Sequence, residues 1–98
     1  MDKNNIQLEK VRLKITTYLK KNKVKKAGIF GSYAEGKAKK NSDIDILIQP
    51  TPKMSLFDLV GMEQELGDLL NKKVDLLTYN SINYLLKDII LGQEVRII

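Results

Sequence analysis

Hydrophobic residues recur along this chain with two periods. Leu8, Val11, Ile15, Tyr18 and Leu19 are spaced by threes and fours with lysines and Glu9 between them, which predicts an amphipathic helix over about residues 6–22. Lys20, Lys21 and Lys23 at its end suit the negative pole of the helix dipole. The apolar run Val24 to Phe30 predicts a short strand that turns at Gly31-Ser32, and the polar, lysine-rich stretch from Gly36 to Ser42 predicts a loop. Asp43-Ile44-Asp45-Ile46-Leu47-Ile48 then alternates with period two, predicting a second strand over Asp43 to Gln49 that Pro50 and Pro52 stop.

Ser55, with Asp58 three residues on, predicts a capped helix start, and Leu59, Met62, Leu66, Leu69 and Leu70 form the apolar stripe that follows. Asn71-Lys72 breaks that helix. Val74-Asp75-Leu76-Leu77 predicts a third strand with Asp75 on the face opposite Val74 and Leu76. Ser81 is the predicted cap of a third helix with Ile82, Leu85, Leu86, Ile89 and Ile90 inward and Gly92 at its end, and Val95 to Ile98 predicts a last edge strand. This order predicts an α/β (α+β) fold in one domain over residues 1–98. Its sheet is mixed, mainly antiparallel and of about four strands, with helices packed on one face and the other face open.

The sequence holds no cysteine and no histidine, which removes disulfides, thiol nucleophiles, Cys/His zinc sites and histidine acid–base chemistry together. Catalysis, if present, runs on carboxylates, lysines, hydroxyls and a hard cation. Asp43 and Asp45 project from one strand face a few ångströms apart, and like charges so close repel unless a cation sits between them. Oxygen-seeking Mg²⁺ or Mn²⁺ fits that need. Charge is also uneven: twelve Lys/Arg face three Asp/Glu up to residue 42, and five face nine from there on. Lysines on both sides of Gly31-Ser32 in the sequence would attract a polyanion such as a nucleoside triphosphate, or simply solvate a helix end and a loop. No apolar run is long enough to cross a bilayer and the first residues lack the pattern of a signal peptide, so a cytoplasmic protein with no membrane partner is expected.

The run Gly31-Ser32-Tyr33-Ala34-Glu35-Gly36, followed by Ser42-Asp43-Ile44-Asp45, resembles the signature of the minimal nucleotidyltransferases, short members of the DNA polymerase β-like superfamily. Size and element order extend the resemblance over nearly the whole chain. It implies that Asp43, Asp45 and Asp75 bind two Mg²⁺ ions, with Mn²⁺ possible in their place. Asp75 would also help deprotonate an acceptor hydroxyl, while Gly31 and Ser32 hold the triphosphate of ATP. Taken singly, Gly31 and Gly36 read equally as turn glycines, Ser32 as a cap, and Asp75 as a charge guarding an edge strand. The chain departs from the family at Tyr33 and Glu35, where basic residues are common.

Because the sequence stops just after the catalytic core, the acceptor is expected on a separate protein. The resemblance implies an antitoxin that transfers AMP from ATP to a tyrosine hydroxyl of a HEPN-type toxin. The competing expectation is an antitoxin with weak or no catalysis that neutralises its partner by binding. Self-association or a hetero-oligomer is compatible with either. A nucleic-acid binder is not expected, since only 6% of residues are aromatic and no stacking platform or recognition helix is evident.

Overall fold

A computed structural model describes residues 3–36 and 42–98. Helix α1 (Lys3–Lys21) leads to β1 (Ala27–Phe30) and, past the turn at Gly31, to β2 (Ile44–Ile48). Then come α2 (Leu56–Leu70), β3 (Val74–Thr78), a 3-10 turn (Tyr79–Ser81), α3 (Tyr84–Gln93) and β4 (Val95–Arg96). The predicted loop at Lys37, Lys39 and Lys40 lies outside the described residues. No helix among the described residues is long and apolar enough to cross a membrane.

The sheet order is β3-β2-β1-β4. β1 runs antiparallel to β2 and β4, whereas β2 and β3 are parallel, as the α2 crossover between them requires. Alternation along β2 sends Ile44, Ile46 and Ile48 to one face, where they meet Ile29 of β1, Ile15 and Leu19 of α1, and Met62 and Leu66 of α2. That layer is the core. Leu47 is buried too, but on the opposite face with Asp45.

Local chemistry sets the boundaries. The β1 strand starts at Ala27 and not at Val24, because Lys23 turns left-handed (φ 66°) and the Val24 amide bonds back to the Leu19 carbonyl, closing α1. The helix start at Ser55 is as predicted: its hydroxyl accepts from the Asp58 amide at 3.2 Å and the Asp58 carboxylate accepts from the Ser55 amide at 2.8 Å. Asn71, left-handed at φ 53°, ends α2.

The third helix departs from expectation. Asn83 caps it, its side chain accepting from the Leu85 amide, while Ser81 donates to the Thr78 carbonyl and closes the 3-10 turn instead. Gly92 lies inside the helix. Leu85, Leu86 and Ile89, expected inward, are 69%, 50% and 58% exposed, and no residue of α3 is buried. Its stripe has the period of a core helix, but the core layer is already closed by α1 and α2. Only Val95 and Arg96 form β4, although the Ile97 and Ile98 amides still bond to the Ala27 carbonyl.

These placements separate two kinds of leucine. Leu66→Ala empties a fully buried site and should lower stability by about 2–5 kcal/mol, whereas Leu85→Ser on α3 should stay within roughly 0.5 kcal/mol. Urea denaturation of both variants measures the difference.

Candidate functional site

The open face of the sheet carries the acidic residues, and strand register decides which of them meet. In the parallel ladder Asp45 of β2 is directly opposite Asp75 of β3, so both carboxylates leave the sheet on one face side by side. When Asp45 is protonated its carboxyl hydrogen-bonds to Asp75. Burial, then the charge and hydrogen bond of Asp75, then the charge of Asp43 push the Asp45 carboxyl up to about 6. Asp43 sits one residue before β2, with Oδ2 4.0 Å from Lys73 Nζ in an exposed pair that contributes little to stability.

Gly31 closes the site from the other side. Its φ is +73°, and a Cβ there would run into Asp45 Oδ2 at far less than van der Waals distance. Both facts demand glycine. The Gly31 carbonyl accepts from the Glu35 amide at 3.1 Å, so the chain from Gly31 coils into a single turn that carries part-exposed Ser32 directly after the glycine. Gly36 is also left-handed (φ +73°), but a Cβ would meet nothing there, so only its backbone requires glycine. The two family departures resolve locally: Tyr33 is 2% exposed and packs in the core, and Glu35 is exposed to solvent.

Gly31, Asp45 and Asp75 therefore converge, Asp43 flanks them, and Ser32 follows the glycine. Among the described residues no three acidic side chains close on one point as a finished metal cage. The donor set nevertheless fits a hard divalent cation: carboxylate oxygens are offered, and the mutual repulsion that adds to burial in raising the Asp45 carboxyl is what a cation between them would relieve. Sequence reasoning missed one supporting residue. Glu63 of α2 accepts the outward Leu76 amide at 2.8 Å, tying down the edge strand beside Asp75. Thirteen residues separate Glu63 from Leu76, and only the α2–β3 packing brings them together.

The family model for the polymerase β nucleotidyltransferases matches residues 13–98. The chain belongs to this family. It is 47% identical over 93 residues to the Methanocaldococcus jannaschii protein named "Putative protein adenylyltransferase MJ0435", covering 95% of this chain and all of that one. It is 41% identical over 59 residues to "Protein adenylyltransferase MntA" of Thermococcus cleftensis, covering 60% of each chain. Among solved structures it superposes on a toxin–antitoxin crystallised with AMP-PNP with a TM-score of 0.78 and 28% identity, over 89% of this chain and 72% of that one. This nucleotidyltransferase is accordingly an enzyme of nucleotidyl transfer, with the small α+β fold read from its sequence.

Proton linkage gives the site a measurable signature. Because the native carboxyl of Asp45 titrates near 6, above the ordinary value of roughly 3.9, the folded state binds the extra proton and loses stability as pH rises from about 4 to 6. Asp45→Asn removes that loss, since an amide can donate to Asp75 at any pH. Thermal melts should show the variant more stable than wild type at pH 7.5, with the gain shrinking toward zero near pH 4.

Proposed function

We propose that the enzyme transfers AMP from ATP to a tyrosine hydroxyl of a separate partner protein, a HEPN-type toxin, and so acts as its antitoxin. The observation that carries this reading is the contact of Gly31 with Asp45, which is itself paired in register with Asp75. A left-handed glycine turn, whose exposed amides suit phosphate, abuts a pair of mutually repelling carboxylates. A relative named protein adenylyltransferase supports transfer of an adenylyl group to a protein, and the toxin–antitoxin crystallised with AMP-PNP supports a toxin as partner and ATP as donor.

In this reading Asp43, Asp45 and Asp75 hold two Mg²⁺ ions together with the triphosphate, with Mn²⁺ able to replace them. Bound there, the metal neutralises phosphate charge and lowers the pKa of the acceptor hydroxyl. Gly31 leaves room for backbone approach, and the Ser32 hydroxyl and amide donate to the phosphate oxygens. Asp75 takes the proton of the acceptor tyrosine as its oxygen attacks the α-phosphorus. The bond from that phosphorus to the bridging oxygen breaks, and pyrophosphate leaves with its electron pair. Tyr33 is in the core and Glu35 is exposed to solvent, so neither is a basic group available to the phosphates.

Asp43→Asn with Asp45→Asn separates catalysis from occlusion. Adenylylation of the partner, followed by intact-mass spectrometry with ATP and Mg²⁺, should fall by several orders of magnitude while the fold survives. Toxin neutralisation in co-expressing cells should fall with it. Full protection by the double variant would establish a binding antitoxin instead. Ser32→Ala deletes one charge-assisted donor worth about 1.5–3 kcal/mol, so ATP affinity or turnover should drop roughly ten- to a hundredfold in calorimetry and transfer assays.

A further inference from the structure

Lys23, Lys25 and Lys26, which precede Gly31-Ser32 in sequence, do not gather beside it in space. In the register of β1 and β2, Phe30 is opposite Asp45 at one end, while Ala27 is opposite Ile48 and the Gln49 amide bonds to the Lys26 carbonyl at the other. Lys23, Lys25 and Lys26 therefore gather at the pole of the sheet away from the acidic site, about 13 Å distant at some 3.3 Å per residue. Two clefts of about 510 and 340 Å³ open there and share Lys26, Gln49 and Pro50. Lys23, Lys25 and Lys53 line the first, and Lys87 and Tyr79 the second.

Among the described residues no carboxylate lines either cleft, although acidic residues outnumber basic ones from residue 43 onward. Glu94, which reaches Tyr79, is engaged by the tyrosine hydroxyl, and Lys26 Nζ sits 4.3 Å from the centre of the Tyr79 ring. Lys23, Lys25, Lys53 and Lys87 are exposed. Four exposed ammonium groups lining two adjoining clefts repel one another, and an anion of matching extent relieves that repulsion.

We propose that this pole of the sheet binds the phosphodiester backbone of a nucleic acid. Gln49, Thr51 and Asn80 add neutral donors for phosphate oxygens. Protein interfaces are depleted in lysine at their centres, whereas backbone binding needs nothing more than cations that release counterions. The scarcity of aromatic residues argues against stacking on bases and leaves backbone binding untouched. The track is sequence-blind, because lysine supplies point charges and no arginine fork is present to read a base edge.

The test is fluorescence anisotropy with a short labelled single-stranded RNA, the DNA strand of the same sequence, and a poly-glutamate peptide of equal charge. With four phosphates neutralised, affinity for a single strand should fall about sixtyfold between about 50 and 200 mM salt, a log–log slope near −3. Lys25→Gln with Lys53→Gln should halve that slope and leave ATP-dependent transfer unchanged, while Lys10→Gln with Lys14→Gln, on the body of α1, should keep it. Asp45→Asn should bind as wild type does, which separates this track from the acidic site. Binding of either strand sustains the proposal, and the ratio of the two identifies RNA or DNA as the source of the backbone. It is overturned if neither strand binds at low salt, if poly-glutamate binds as tightly, or if the control pair of lysines matters as much as the cleft pair.

Discussion

The pairing of Asp45 with Asp75 across the parallel strands β2 and β3 is the constraint on which the rest of this structure depends. Two carboxylates on neighbouring strands of one sheet face repel, and burial raises the free energy of their charged forms further. The fold holds them together because the opposite faces of the same strands are committed to the core: Ile44, Ile46 and Val74 are packed under α1 and α2. A slip of one residue in either strand would separate the acids, but it would also turn the core residues out to solvent. The hydrophobic effect thus pins a register that electrostatics alone would reject.

Supporting parts follow from that arrangement. Gly31 must lack a side chain because Asp45 fills the space a Cβ would need, so the turn and the acid are matched by shape. Glu63 satisfies an outward amide of β3, which keeps the edge strand that carries Asp75 from offering an open ladder. Gly28 plays a comparable part lower on the sheet, where a side chain would collide with Glu94. Each of these positions has a reason in packing that is independent of any ligand. Stability given up at the acidic pair is the usual accompaniment of a site that must attract cations.

The sheet is also electrically polar along its strands. Asp43, Asp45 and Asp75 lie where β2 and β3 begin, with Lys73 beside Asp43, and Lys23, Lys25, Lys26 and Lys53 lie beyond the other end of β2. Such separation keeps Lys23, Lys25 and Lys26 away from the aspartates, while Lys73, just before β3, pairs with Asp43.

Period and punctuation in the sequence determined much of this protein by themselves. The alternation through Asp43 to Ile48, the capping box at Ser55, the proline stop after Gln49 and the lone acid within Val74-Asp75-Leu76 all operate through neighbouring residues, so the strands, α2 and the faces of the acids could be read directly. The tertiary structure decided what depends on distant partners. It alone set Asp45 against Asp75, placed Gly31 on Asp45, buried Tyr33 and sent the lysines of residues 23–26 to the far pole. It also left the apolar stripe of α3 exposed, since a period of 3.6 reports that a helix has an apolar face but not whether the core has room for it. Local spacing fixes which way a side chain points; only chain topology and the finite volume of one core fix what it meets.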